Sequence, residues 1–380
     1  MRPLLRTLAI LALFPYAGVA LLVVTGAATW SSIAYVAAIG LLLGGLVTLP
    51  DPAAAPSSED TEAAQDPQER KRRRSRPRGL SRGGALAVVA VMSVRTCTTD
   101  GGRGITVATS DGSSSRVVNR IVDEADVAIL GARLLGPSGL YGADSSKVAP
   151  AMRDAYARMR RDQGAAATPF VATYLGLQRP AAFDTIVIEP ASRAAAKTAL
   201  IFLHGYAGNF DMPCWQMAKA VDGLDVVTAC PSTSWVGDWW SADGEAILDR
   251  TVEMLRARGV SRFVLAGLSN GGYGASELAP RRRGTFAGLV LVSGARPDQP
   301  SPGVPVLLVH GTHDNMVPIE EARAYRDRHG GRLVELPAGH FALLLSSTDA
   351  NRAIHDFVAS LVQNGSIRTS TESVSGPPPT

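Results

Sequence analysis

Residues 263–276 read FVLAGLSNGGYGAS, which sets Ser269 among Gly267, Gly271, Gly272 and Gly274 directly after an apolar run. A serine hydroxyl is a weak nucleophile until a base takes its proton, and that base needs a carboxylate to fix its tautomer. The chain has six histidines to choose from. His204 and His310 each close an apolar run before a glycine, in FLHG and LVHG, a pattern that suits a structural role. His329 and His355 fall on helical stretches, and His313 directly precedes Asp314. His340, in ELPAGHFALL, follows the last apolar run and is the base this pattern selects. Asp314, in VHGTHDNMVP, is the matching acid, with Asp298 as runner-up. His310, His313 and Asp314 could suggest a metal, but no further ligand set accompanies them, so neither a metal nor another cofactor is expected.

These residues need elements to position them. From 183 onward, apolar strands recur: FDTIVIEP, TALIFLHG, LDVVTACP, RFVLAGLS, GLVLVSGA, VPVLLVHG and GRLVELPAG. Helix-patterned stretches lie between most of them, such as GEAILDRTVEMLRARG and PIEEARAYRDRHGG, and DANRAIHDFVASLV follows the last. This alternation predicts a mostly parallel α/β sheet flanked by helices. RFVLAGLS is then a strand and NGGYGASELAP opens a helix, which puts Ser269 on a tight turn at the carboxyl edge of the sheet, where open α/β folds bind ligands. A Cβ at Gly267 or Gly271 would clash with the neighbouring helix or strand, and Gly272 lets the helix pack closely, as in the G-x-S-x-G turn. His340 and Asp314 follow the last two strands and emerge at the same edge. A tetrahedral oxyanion needs two donors already in place. The N–H of Asn270 supplies one, and the N–H of Tyr206 in HGYAGN the other, with Ala207 as the alternative.

HGYAGN, GLSNGG, HGTHDNMVP and PAGH together resemble the sequential motifs of the α/β-hydrolase superfamily. They are most similar to its serine carboxylesterase and phospholipase/carboxylesterase-like branches. The resemblance covers roughly 183–363 and implies the α/β-hydrolase fold, an acyl-enzyme mechanism, and the roles of Ser269, Asp314 and His340. Dienelactone hydrolases of the superfamily carry Cys where this chain has Ser. Many members insert a helical lid after the strand that follows the Ser turn. Here only RPDQPSPG (296–303) fills that gap, so the site is open or is covered by residues 100–180. Trp235, Trp239 and Trp240, in STSWVGDWWSADGE, could wall an acyl pocket or simply pack beneath a loop.

The rest of the 380-residue chain is organised differently. Thr7–Pro50 contains no Asp, Glu, Lys, Arg or His, about twice the ~20 apolar residues of one membrane span. GAATWSS interrupts it, so residues 1–50 read as a transmembrane hairpin with helices at roughly 5–25 and 32–49. Residues 51–82 read as a disordered basic linker. The net charge is +4, yet the run 70–82 alone carries eight basic residues and no acidic one, which leaves the remainder at about −4. Basicity is therefore local, and nucleic acid is not an expected partner. Residues 83–180 form an N-terminal extension, 181–363 the catalytic domain and 364–380 a disordered tail.

The function expected is a membrane-anchored serine hydrolase acting on a small-molecule or lipid carboxylic ester. A peptidase or amidase with the same triad, or a non-catalytic binding protein on the scaffold, are the competing readings. GGALAVVAVMSV (83–94) is short for a span and resembles a signal-like segment or a buried strand. If it crosses the membrane, the catalytic domain lies outside the cytoplasm, where Cys214 and Cys230 could pair; if not, the cysteines stay reduced. The basic run before it resembles an export signal and tips the reading outward.

Overall fold

Strands buried on both faces must be continuous apolar runs with helices above and below them, and the chain from 183 onward alternates the two. The computed structural model describes residues 2–27, 29–48, 67–99, 104–112, 116–164, 166–192 and 195–372. The chain divides into two compact units, one of Met1–Thr98 with Ala125–Leu130, the other of Thr99–Glu124 with Gly131–Thr380.

In the first unit, helices α1 (Arg2–Gly26), α2 (Trp30–Val47) and α3 (Pro67–Thr98) follow one another. Leu4–Gly26, Trp30–Val47 and Gly79–Thr98 are each long and apolar enough to cross a membrane. Small residues let α2 and α3 approach closely: a Cβ at Gly45 would overlap the Ser81 backbone, and one at Gly84 the Leu42 backbone. The hairpin expected at 5–25 and 32–49 corresponds to α1 and α2. The segment expected to be short, 83–94, is instead the centre of a 20-residue stretch. Residues 67–82 are helical rather than a disordered linker, because Arg, Lys, Gln and Glu are good helix formers whatever their charge. Residues 51–66 lie outside the described residues.

In the second unit the described residues form one eight-stranded sheet in the order β1-β2-β4-β3-β5-β6-β7-β8. The strands are β1 (Ile105–Thr109), β2 (Asp184–Ile188), β3 (Thr198–Leu203), β4 (Val226–Pro231), β5 (Arg262–Leu268), β6 (Phe286–Val292), β7 (Val306–Gly311) and β8 (Arg332–Leu336). β2 runs antiparallel to β1 and β4, and all other pairs are parallel. This is the α/β-hydrolase fold. Every residue of β3, β4 and β7 is buried. The edge strand β8 instead presents exposed Arg332 and Glu335, which discourages pairing with another chain. The chain runs from β3 to β4 on one side, then crosses back to β5 on the other, and this reversal opens a crevice at the carboxyl ends of β3 and β5.

Helices α4 (Glu124–Leu135), α5 (Val148–Gln163), α6 (Phe170–Tyr174), α7 (Asp211–Ala220), α8 (Ala242–Ala257), α9 (Asn270–Arg281), α10 (Ile319–His329), α11 (Ala342–Leu345) and α12 (Ser347–Glu372) complete the described secondary structure, apart from short 3₁₀ turns. The sequence pattern separates 83–180 from the catalytic domain, but the structure places 99–124 and 131–180 inside it. β1 pairs with β2, and buried Asp184 on β2 accepts from Nε of Arg116 (3.2 Å), Nδ2 of Asn119 (3.0 Å) and Nε2 of Gln178 (3.0 Å). The join is polar and short, so hydrophobic periodicity does not reveal it. Residues 364–372 continue α12 where a disordered tail was expected, and 373–380 lie outside the described residues.

Trp239 has 0% exposure, donates its Nε1–H to the His204 carbonyl (2.9 Å) and packs where a Cβ on Gly274 would collide with it. It is a core residue, not a pocket wall. Replacing it by Ala should remove about 3–5 kcal/mol of stability and lower the Tm of full-length protein in detergent by on the order of 10 °C. Half-exposed Trp235→Ala should shift Tm by no more than about 2 °C. Circular-dichroism melts of the two variants check the contrast, and equal shifts would show that Trp239 is not a core residue.

Candidate active site

The carboxyl end of β5 runs straight into α9, and Ser269 is the residue between them. Its backbone sits at φ 54°, ψ −119°, a conformation that costs an L-residue on the order of 1–3 kcal/mol and persists only when surrounding packing enforces it. The enforcement is visible. Ser269 N–H donates to the Val292 carbonyl at the end of β6 (2.9 Å), and its own carbonyl accepts from Tyr273 N–H (3.0 Å). A Cβ at Gly267 would overlap the Gly271 backbone, one at Gly271 the Leu203 carbonyl, and one at Gly272 the Gly294 carbonyl. The glycines expected to be needed for close approach are therefore required by backbone on three sides. Ser269 itself is only partly buried, so its hydroxyl is within reach of solvent.

The loop after β3 passes beside this turn. A Cβ on Gly205 would lie 2.9 Å from the Leu268 carbonyl and 3.0 Å from Cβ of Ser269. Tyr206 follows, then Ala207 at φ 77° and Gly208 at φ 100°, a strained path that turns the chain over the strand end. Asn270 is the first residue of α9, whose leading N–H groups have no partner within the helix. Its side chain donates to the Val236 carbonyl (2.8 Å), tying the turn to the loop after β4. Of the expected oxyanion donors, Asn270 directly follows Ser269 in the chain, and Tyr206 directly follows Gly205, which approaches Ser269 in space.

The expected base and acid are joined. Nδ1 of His340 lies 2.8 Å from Oδ2 of Asp314, and both residues are buried. The other Asp314 oxygen accepts the N–H groups of Met316 (2.8 Å) and Val317 (2.9 Å), and Nε2 of His310 lies 3.3 Å from Oδ2. Burial alone would raise the Asp314 pKa, but the hydrogen bonds from His310, His340 and Val317 and the charge of His340 outweigh it. The carboxyl is held well below the ordinary range and stays ionised at neutral pH. His340 reaches the Ser269 turn through β6: Val292 binds Ser269, and Oγ of the next residue, Ser293, donates to the His340 carbonyl (3.0 Å). Asp298, the runner-up acid, is exposed on the loop after β6.

The sequence leaves two features open. Trp235 (41% exposed) and Tyr206 (58% exposed) meet edge to face at 5.0 Å, and Tyr174 stacks on Trp235 at 6.1 Å, so α6 lends an aromatic face to the oxyanion side. Trp240 instead lies under the Arg296 guanidinium (4.6 Å). Cys214 on α7 and Cys230 on β4 form a disulfide, the pairing that the sequence left open.

His204 is structural, as its strand-end position implies. Thr233 N–H donates to its Nε2 (3.2 Å), so Nδ1 carries the proton and donates to the Gly205 carbonyl (2.8 Å). Burial pushes its pKa down to about 4. Between the ordinary value of 6.5 and about 4 the unfolded chain binds the extra proton, so stability is lost as pH falls through that window, by about 3 kcal/mol from this group. The difference in Tm between wild type and His204→Asn, followed from pH 7.5 to 4, should shrink as the pH falls. A constant difference would show that His204 does not enter the fold neutral.

No protein-family model matches the chain, and no curated protein matches it. Among solved structures, the chain is similar to Est1E from Butyrivibrio proteoclasticus, at 16% identity and a TM-score of 0.42 over 48% of this chain and 95% of that one. It is also similar to the esterase domain of a Rhodothermus marinus protein, at 18% identity and a TM-score of 0.39 over 48% and 93%. A monoacylglycerol lipase from Paleococcus ferrophilus overlays at 16% identity and a TM-score of 0.39 over 47% and 99%.

Proposed function

We propose that this chain is a membrane-anchored serine hydrolase that cleaves carboxylic esters through an acyl-enzyme. The observation that carries the reading is Ser269, held at positive φ on the strand-to-helix turn at the sheet's reversal, with a buried His340–Asp314 pair anchored to the same strand end. Ser269 Oγ attacks the ester carbonyl while His340 takes its proton. The N–H groups of Tyr206 and Asn270 receive the oxyanion. His340 then protonates the departing alkoxide, leaving an acyl group on Ser269. Water, deprotonated by His340, attacks the acyl carbonyl, the bond to Oγ breaks as His340 returns the proton to Oγ, and the acid leaves. Asp314 keeps the proton of His340 on Nδ1, so that Nε2 is free to act as base. The exposed faces of Tyr206, Trp235 and Tyr174 beside the oxyanion loop favour an apolar group on the ester.

A fluorophosphonate probe should label the wild-type protein and not Ser269→Ala, which should retain the wild-type melt and lose on the order of 10⁶ in kcat on p-nitrophenyl esters. Asp314→Asn should lose roughly 10⁴, whereas Asp298→Asn should hydrolyse at the wild-type rate. Labelling that persists in Ser269→Ala, or the reverse order of the two Asp variants, would overturn the assignment.

The same reading places the catalytic unit outside the cytoplasm. Three spans starting from a cytoplasmic N-terminus with Arg2 and Arg6 return the basic run 70–82 to the cytoplasm and send the chain out again through Gly79–Thr98. The buried Cys214–Cys230 disulfide suits an oxidising compartment. Alkaline phosphatase fused after residue 365 should therefore be active. An inactive fusion, paired with an active cytoplasmic reporter at the same point, would place the unit inside.

A further inference from the structure

We propose that Asp144 is a positioning residue for His340, a role that rests on His340 being the base. Asp144 belongs to the stretch between α4 and α5, well outside the motifs that mark the site. It is 6% exposed and closes a 3₁₀ turn, Gly142–Asp144. Its Oδ2 accepts the N–H of Gly339, the residue immediately before His340, at 2.6 Å. Its Oδ1 takes the ammonium of Lys147 at 2.9 Å, and its backbone is fixed at both ends, N–H to the Tyr141 carbonyl (3.0 Å) and carbonyl from Lys147 N–H (2.8 Å).

The same short segment holds the far side of the base and the flank of the acid. The Tyr141 ring meets Phe341, the residue immediately after His340, edge to face at 5.2 Å, and Phe341 in turn meets the His340 ring at 5.8 Å. Gly142, at φ 52°, lies so close to the Asn315 side chain that a Cβ would overlap it, and Asn315 directly follows Asp314. Both chain neighbours of His340 and one of Asp314 therefore rest on residues 141–144.

The interactions on His340 divide the work. Asp314 fixes the ring through Nδ1, Ser293 fixes the carbonyl, and Asp144 fixes the peptide that leads into the residue. Gly339 has no side chain of its own to restrain that peptide. A carboxylate on its N–H gives a charge-assisted hydrogen bond, roughly twice as strong as a neutral one. Its loss would leave a buried donor without an acceptor and let the imidazole swing. A displacement of about 1 Å at a reacting group costs on the order of 10² in rate.

The test uses the full-length protein in detergent, with kcat and KM on a p-nitrophenyl ester, the pH profile of kcat/KM, and a circular-dichroism melt for each variant. Asp144→Val should lower kcat by on the order of 10² with KM within about twofold, and should move the acid limb of the profile, because the His340–Asp314 geometry relaxes. Asp144→Asn keeps an oxygen facing Gly339 and should recover most of kcat. If Asp144→Val does not fold, Asp144→Ser, whose hydroxyl falls short of Gly339, replaces it with the same expected loss. A folded Val or Ser variant with wild-type kcat and pH profile overturns the proposal, as does an Asn variant as slow as the Val or Ser variant. Fluorophosphonate labelling of wild-type Ser269 separates the two failures. Without it the reading of the site falls, and with it only the role of Asp144 does.

Discussion

The constraint on which the rest of the structure depends is the backbone of Ser269. An L-residue at φ 54° relaxes unless the chain around it leaves no alternative, and here the alternatives are closed by main chain rather than by side chains. The ends of β3 and β6 and the first turn of α9 all come within contact of the Ser269 turn, at Leu203, Gly294 and Gly271. Such approaches are possible only where three parallel strands end together and their connections part in opposite directions. The strand order of the sheet is thus a precondition of the strained serine. The glycines are what that order demands of the sequence.

Much of this was legible from residue types alone. The strands from 183 onward read as continuous apolar runs because parallel strands covered on both faces have no solvent side to alternate with, and the Ser, Asp and His positions follow from where those runs stop. The extension was not legible, because what binds it to the sheet is polar. β1 is a five-residue edge strand, and its neighbouring segment is held through the buried carboxylate of Asp184 by Arg116 and Asn119. Charged residues read as surface until their partners are known. Trp239 misled for the opposite reason: it stands two residues from a glycine turn in a loop that looks like a pocket wall, yet a close glycine on α9 gives its ring a place in the core. The helical state of 67–82 was hidden by composition, since a run of arginines satisfies both a disordered linker and a helix.

Three buried carboxylates show how far environment decides the behaviour of one functional group. Burial raises all three. At Asp314 it is outweighed, because two imidazoles and two backbone N–H groups converge on the carboxylate, so this acid is held charged and adds stability that is lost only when the pH falls through its depressed pKa. Glu124 accepts from Tyr156 and Thr168 and from the N–H groups of Asp211 and Met212 that open α7, yet among the described residues no cation lowers its pKa, and burial keeps it raised. Asp211 lies beside it with an Oδ1 that has no hydrogen-bond partner among the described residues, and burial and the Glu124 charge drive its pKa well up. For a raised carboxyl the sign is reversed: the folded chain holds the proton longer, so stability falls as pH rises past the ordinary carboxylate range.

The arrangement of these acids follows the division of labour around Ser269. On the side of His340 the fold concentrates donors onto Asp314, which in the proposed mechanism must carry a charge to hold a tautomer in His340. In the proposed reaction a charge near the attacked carbonyl would oppose the one that forms there, and on the side of Tyr206 burial raises the pKa of Asp211, which follows in the same connection, and of Glu124, which accepts the Asp211 N–H. Glu124 still does structural work when it accepts the first N–H groups of α7, because that helix follows directly on the strained loop of Tyr206 and Ala207. The extension therefore reaches the site from both ends, through Asp144 and Tyr141 at the His340 turn and through Glu124 and Tyr174 at the oxyanion loop. A chain with no helical lid between β6 and β7 has its turns braced by residues that precede the sheet's central strands in sequence. The second unit cannot be cut at 180 without losing the supports of both turns.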